Sequence, residues 1–423
     1  MVSTRSGTLI VGASQAGLQL ATSLRELGDR EPIVLVGMEK HPPYQRPPLS
    51  KAYLAGRADA QSLHFRKPEW YADQRIDLRL STKIVAIRLD GPDSGSGVAT
   101  TESGEELGFA RLALTVGGRA RRIHLPGSDL EGVKVLRHLR NAKELRDGLA
   151  AAEEVVVIGG GFIGLEAAAA ATAAGKHVTV VDIGDRLLGR AVAPVVSDFY
   201  LHAHQRRGTD FRLETGVTAF EGATGRVTGV RLDDGSVLPA DLVLVGIGLE
   251  SRLELAEDVG LACDGGIVVD AAARTSHPGV VAAGDCTVMP HPLGGRGRVR
   301  IESVQNAVAQ AQVAAASLLG IPSEMHAVPW FWSDQADLKL QIAGLSHGFD
   351  QVVVRGDPES ESFSVLYYAG GVLIAADAVN APRDFMVVRK ALGEGRTIPA
   401  DLAADAGTPL KGLVVDRPRA ISA

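Results

Sequence analysis

Val155 to Asp182 constrains the fold of this chain more tightly than any other stretch. It reads V-V-V-I-G-G-G-F-I-G-L-E-A-A-A-A-A-T-A-A-G-K-H-V-T-V-V-D. Four β-branched residues run into Gly159-x-Gly161-x-x-Gly164, an alanine-rich segment follows, Gly175 stops it, and a second apolar run ends at Asp182. That order predicts a strand, a tight turn, a helix and a second strand closed by an acid. Gly159 permits the turn, Gly161 lets a pyrophosphate approach the backbone without a Cβ in the way, and Gly164 lets the helix pack closely on the strand. The helix N-terminus then offers free N–H groups and a partial positive charge to phosphates. Asp182 can accept hydrogen bonds from both ribose hydroxyls of an adenosine, and its charge repels a 2′-phosphate, which favours NADH over NADPH.

The same pattern opens the chain. Leu9-Ile10-Val11 leads into Gly12-Ala13-Ser14-Gln15-Ala16-Gly17, a helix with Leu18, Leu20, Ala21 and Leu24 on its apolar side, a stop at Gly28 and a strand at Ile33–Val36. Serine replaces the second glycine, and Glu39 is the nearest acid after the second strand. Two dinucleotide-binding units in one chain imply two nucleotides held for a common purpose.

The 423 residues suit roughly three domains. A net charge of −6 argues against nucleic-acid binding. The short polar stretch Met1–Gly7 and the absence of a long apolar run give neither a signal peptide nor a membrane span, so a cytoplasmic protein is expected. Cys263 and Cys286, far apart in sequence, form no C-x-x-C pair and no zinc spacing, so no metal site is expected.

Between and after the two units, further segments suggest roles. The proline-rich loop Pro42–Lys51 presents Arg46 and Lys51 to a ligand. Lys83–Leu89 reads as a strand, Asp90–Gly97 as a flexible hairpin tip, Leu112–Val116 as a buried strand, and Asn141–Leu149 as a helix. His202 and His204 do not share a helix face and make a poor metal pair. Val217–Gly248 alternates strands and turns. Gly279–Asp285 is an apolar strand that delivers Asp285 to the carboxyl edge of a parallel sheet, where it can hold a ribityl hydroxyl. Ser303 is placed to cap an alanine-rich helix. After Pro322 the composition changes. Trp330 and Trp332, alternating strands at Lys339–Ala343, Gln351–Val354, Phe363–Tyr368 and Val372–Ala376, and a helix at Arg383–Leu392 predict a separate α+β domain.

P-P-L-S-K-A-Y-L-A-G (Pro47–Gly56), V-I-G-G-G-F-I-G-L-E (Val157–Glu166), A-D-L-V-L-V-G-I-G-L (Ala240–Leu249), G-D-C (Gly284–Cys286), V-R-I-E-S-V-Q-N-A (Val299–Ala307) and P-W-F-W-S-D-Q (Pro329–Gln335) span nearly the whole chain in order. Together they resemble the NADH-dependent ferredoxin reductases of bacterial oxygenase systems. The resemblance implies an α/β, glutathione-reductase-like fold with two Rossmann-type dinucleotide-binding domains and a C-terminal α+β domain. FAD would take residues 1–115 and 246–326, NADH residues 116–245, and residues 327–423 would cover the flavin.

It further implies FAD contacts from Gly12, Ser14, Ala16, Gly17 and Glu39, from Arg46, Lys51, Ile84 and Arg137, and from Asp285, Val304 and Trp332. Lys51 and Glu166 resemble the family's charged pair beside flavin and nicotinamide. Gly159, Gly161, Ile163, Gly164, Asp182 and Gly248 would bind NADH. Ser14 stands where the family has glycine, and Thr115-Val116-Gly117 replaces its A-T-G, so the FAD contacts there are expected to be reshaped.

Hydride would pass from NADH to the flavin, with Lys51 favouring electron density on the reduced ring. Without a C-x-x-C relay, electrons must leave the flavin directly. The resemblance makes the acceptor a [2Fe–2S] ferredoxin that feeds a P450 or ring-hydroxylating oxygenase. Such ferredoxins are typically acidic, so Arg296, Arg298 and Arg300 are the expected docking patch, and Trp330 or Trp332 would shield the flavin or line the exit path. Two other readings fit the same fold: a reductase of rubredoxin or another small acceptor, and an NADH-sensing flavoprotein acting as an interaction module.

Overall fold

The computed structural model describes residues 6–91 and 94–417. The chain divides into two compact units, one made of residues 1–45, 63–119 and 250–329, the other of residues 46–62, 120–249 and 330–423.

The first unit is built on a five-stranded parallel sheet in the order Val280–Ala282, Arg111–Leu114, Thr8–Val11, Ile33–Val36, Ile76–Arg79. Thr8–Val11 and Val280–Ala282 are buried along their whole length, as continuous apolar strands of a sheet covered on both faces must be. Helix Gln15–Glu26 buries Leu20 and Leu24, one turn apart, in a core with Ile10, Leu35 and the alanines of helix Val304–Leu318. A separate antiparallel sheet joins Ile84–Leu89, Gly97–Thr101 and Glu106–Phe109. The expected tip connects its first two strands, and Pro92 and Asp93 of that tip lie outside the described residues.

The expected strand at Leu112–Val116 ends earlier, at Leu114. The reason is Thr115, whose hydroxyl donates to the carbonyls of Gly12 at 2.9 Å and Val11 at 3.2 Å and so turns the chain toward the glycine loop.

The second unit holds a parallel sheet in the order Thr209–Arg212, His177–Val181, Glu154–Ile158, Leu242–Val245, Val133–Val135. Helix Phe162–Ala173 joins its two central strands, and its alanines let it pack close to them. The expected helix at Asn141–Leu149 is longer, Leu139–Ala151, because His138 caps it by accepting the Asn141 N–H. Residues 330–416 contribute an antiparallel sheet in the order Trp330–Gln335, Leu338–Gly344, Val372–Val379, Ser362–Ala369, Gln351–Asp357, followed by helix Pro382–Gly393. The segment Arg46–Ser62 also belongs to this unit, and Leu54 joins its core.

Candidate nucleotide cradles and a buried ion pair

In the first unit the glycine turn is needed by the packing itself. Gly12 has φ +120°, and a Cβ there would sit 2.2 Å from the Thr115 carbonyl oxygen. A Cβ on Gly17 would fall 2.0 Å from the Gly12 oxygen, so the helix can approach its strand only as glycine. Ser14 precedes the helix in extended conformation, and the first helical turn carries no acid to oppose an anion. Glu39, beyond the second strand, accepts the Tyr44 hydroxyl at 2.7 Å.

Gly284 and Asp285 follow strand Val280–Ala282 at the carboxyl edge of the sheet. Gln310, which the sequence did not single out, fixes this loop: its Oε1 accepts the Gly284 N–H at 2.8 Å and the Thr287 hydroxyl at 2.9 Å. Ser303 caps helix Val304–Leu318 as expected, accepting the Asn306 N–H at 3.1 Å. Ile84 is buried at the start of its strand.

All three arginines, Arg296, Arg298 and Arg300, are exposed, and Arg300 is also anchored. Arg300 is tied down by Glu302 at 2.9 Å and by the Ser251 hydroxyl and Gly265 carbonyl, both at 3.1 Å.

In the second unit Gly159 has φ +110°, and a Cβ on Gly164 would lie 2.0 Å from its oxygen. A Cβ on Gly161 would meet no protein atom within 4 Å. Protein packing therefore leaves room at Gly161 that a side chain would fill, which fits a phosphate cradle at this helix N-terminus.

Asp182 is closer to the cradle than the sequence suggested. Its Oδ2 accepts the Gly160 N–H at 2.5 Å and its Oδ1 accepts the Gly184 N–H at 2.7 Å, so the carboxylate clamps the glycine loop as well as standing at the strand end. Each oxygen keeps lone-pair capacity for a ribose hydroxyl. Ile163 is 42% exposed in the first helical turn. Gly248, at φ +106°, has the Arg190 guanidinium 3.7 Å from where its Cβ would be.

Lys51 and Glu166 form an ion pair at 2.7 Å, with side chains 16% and 1% exposed. A carboxylate so buried needs more than one partner, and Glu166 has them: the Ser50 hydroxyl donates to Oε2 and the Ser333 hydroxyl to Oε1 at 2.6 Å. Arg46 donates to the Arg137 carbonyl at 2.7 Å, bringing these two expected residues together.

Trp330 lies against Trp332 and Phe385, each with ring centroids 5.8 Å apart, under the Arg389 guanidinium. His202 is exposed and bonds the Asp198 carbonyl, whereas His204 is buried against Gln335. Among the described residues no cluster of His, Cys, Asp and Glu could hold a metal ion, and no helix is long and apolar enough to cross a membrane. Both cysteines are free, and burial pushes the Cys286 thiol up to about 12. Neither supplies a thiolate relay.

Residues 7–311 match the pyridine nucleotide-disulphide oxidoreductase family and residues 330–414 the reductase C-terminal family. Rhodocoxin reductase of Rhodococcus erythropolis is 44% identical over 403 residues, covering 95% of this chain and 93% of the relative. The crystal structure of the ferredoxin reductase for the CYP199A2 system from Rhodopseudomonas palustris superposes with a TM-score of 0.91 at 41% identity, over 96% of this chain and 98% of that one. Putidaredoxin reductase, in its covalent complex with putidaredoxin, also gives 0.91, at 42% identity over 96% and 97%.

Proposed function

The chain belongs to the pyridine nucleotide-disulphide oxidoreductase family, and on that premise we propose that it is an FAD-dependent NADH:ferredoxin oxidoreductase. Its acceptor is a [2Fe–2S] ferredoxin that serves a P450 or ring-hydroxylating oxygenase, in the cytoplasm. FAD, when bound, supplies a centre that accepts a hydride and gives up electrons singly.

The observation that carries the reading is the pair of glycine cradles in a chain with no C-x-x-C. Two nucleotides would be held there, and the sequence offers no dithiol to stand between them and an outside acceptor. We assign residues 1–115 and 246–326 to FAD, residues 116–245 to NADH and residues 327–423 to a flavin cover.

Gly12, Ser14, Ala16 and Gly17 would receive the FAD pyrophosphate on their helix N-terminus, Glu39 the adenosine ribose, and Asp285 the ribityl chain. Arg46, Lys51, Ile84, Arg137, Val304 and Trp332 are the further residues that would contact FAD. Gly159, Gly161, Ile163 and Gly164 would receive the NADH pyrophosphate, with Asp182 on its ribose and Gly248 beside it. Glu166 holds the Lys51 ammonium in one place, where its charge favours electron density on the reduced cofactor. Arg296, Arg298 and Arg300, with Trp330, would face the ferredoxin.

Stopped-flow mixing of the FAD-loaded protein with NADH, followed by ferredoxin, tests the reading. Fast bleaching and rapid turnover with a [2Fe–2S] ferredoxin are expected. Turnover with rubredoxin alone would move the assignment to a rubredoxin reductase, and a long-lived charge-transfer complex with sluggish turnover to an NADH sensor. A protein that stays colourless when supplied with FAD would refute all three.

A further inference from the structure

The Lys51–Glu166 pair continues into the protein through a line of buried polar side chains. Ser333 and Gln335 are fully buried, and His204 is 2% exposed. Strand Trp330–Gln335 alternates its faces, so Ser333 and Gln335 point the same way, and the last turn of helix Pro194–Arg206 brings His204 to meet them.

The hydrogens in this line have one consistent arrangement. Glu166 accepts only, so the Ser333 hydroxyl donates to its Oε1 at 2.6 Å. The Ser333 oxygen is then an acceptor, and Gln335 Nε2 donates to it at 3.1 Å. With its nitrogen committed, Gln335 presents Oε1 to His204 Nε2 at 2.8 Å. A carbonyl oxygen cannot donate, so His204 carries a hydrogen on Nε2. Burial lowers the affinity of His204 for a second proton, which keeps the ring neutral. From His204 to Gln335 to Ser333, every donor is directed toward the Glu166 carboxylate.

Fully buried polar groups cost free energy that apolar residues of similar volume avoid, so a fold needing only a core has no use for this line. We propose that Ser333, Gln335 and His204 are positioning residues that hold the Glu166 carboxylate, and through it the Lys51 ammonium, in a single orientation for flavin reduction. The inference rests on the functional reading above. His204 has a distinct part in it. Without its Nε2–H the Gln335 amide can turn over and offer oxygen to Ser333, whose hydroxyl then donates away from Glu166. A residue three links from the ion pair thereby controls its geometry.

The test uses the FAD-loaded protein and the variants Ser333→Ala, His204→Phe, their double, and His204→Gln, which restores an N–H donor near the Nε2 position. Three quantities are measured: the rate of flavin bleaching by NADH, the flavin midpoint potential, and the dissociation constant of NAD+ by calorimetry. Ser333→Ala should slow bleaching about tenfold or more, since small displacements of positioned groups cost that much. It should also lower the midpoint potential while changing NAD+ binding by no more than about threefold. His204→Phe should give smaller changes in the same direction, the double should be no worse than Ser333→Ala alone, and His204→Gln should approach wild type.

Additive losses in the double, or variants that melt earlier yet keep wild-type bleaching rate and potential, would overturn the positioning chain alone. A wild-type flavoprotein that NADH fails to reduce would overturn the functional reading and this role together.

Discussion

Replacing Asp182 by alanine separates two duties that the structure gives to one carboxylate. In the wild type the side chain accepts the Gly160 and Gly184 N–H groups, at 2.5 and 2.7 Å, and stands where the ribose of NADH is proposed to bind. Alanine leaves both N–H groups without that acceptor and removes the ribose partner. Hydrogen bonds to a charged group contribute about 1.5–3 kcal/mol each, so losing even one ribose contact lowers kcat/KM for NADH by roughly 10- to 100-fold. For NADPH the sign reverses in part. Its 2′-phosphate is repelled by the carboxylate in the wild type, and two like charges near 4 Å at a partly screened site interact by up to about 4 kcal/mol. Removing the carboxylate therefore relieves NADPH while it penalises NADH. The discrimination ratio should fall by at least about 100-fold, from both sides. Loss of the loop clamp acts on the two nucleotides alike and cancels in that ratio. Steady-state reduction of ferricyanide with each nucleotide gives both kcat/KM values, and calorimetry with NAD+ checks that the change lies in binding. A variant whose absolute rates fall while the NADH/NADPH ratio stays at the wild-type value would show that Asp182 is a loop clamp only.

Other perturbations follow from the same geometry. Gly161→Ala should fold with a melting temperature near wild type, because no protein atom lies within 4 Å of the new Cβ, yet lose NADH reduction; Gly164→Ala should lower the melting temperature, because its Cβ falls 2.0 Å from the Gly159 oxygen. Equal melting and equal NADH kinetics in the two would refute the distinction between cradle and packing glycines. Neutralising Arg296 and Arg298 together should weaken ferredoxin reduction, more at low salt, and leave ferricyanide reduction unchanged; equal losses with both acceptors would remove the docking role. Burial pushes the fully buried Asp377 carboxyl from 3.8 up to about 7, while the Tyr367 hydroxyl bonds it. The folded state thus holds this proton more tightly than the unfolded chain, so stability is lost as pH rises from about 4 to 7, by about 1.4 kcal/mol per unit at most, and stays lost above. Asp377→Asn should remove that slope, and parallel denaturation curves of variant and wild type across pH 4–8 would contradict it.

Much of this site could be read along the chain because its chemistry is local. A glycine with positive φ, an apolar run and an acid at the end of the next strand are consecutive features, and Gly12, Gly159, Gly164 and Asp182 stand where their spacing put them. The alanines of helix Phe162–Ala173 and the valines of Glu154–Ile158 announce a helix lying close on a buried parallel strand for the same reason. What pattern could not supply were partners far apart in sequence. Thr115 closing on Gly12, Gln310 fixing the Gly284 loop, and Ser50 and Ser333 meeting Glu166 each depend on which strand lies beside which. Serine, threonine and glutamine carry no periodic signature, since their role is set by the single group they happen to face. Arg300 shows the same limit: its neighbours Arg296 and Arg298 look identical to it in sequence, and only the fold gives it Glu302, Ser251 and Gly265. The sequence alone thus determined the two glycine turns, where backbone conformation and side-chain size decide the outcome within a few residues. The tertiary structure decided how the buried charge of Glu166 is satisfied, because hydrogen bonds reach only about 3 Å and their donors come from strands and helices that meet only once the chain has folded.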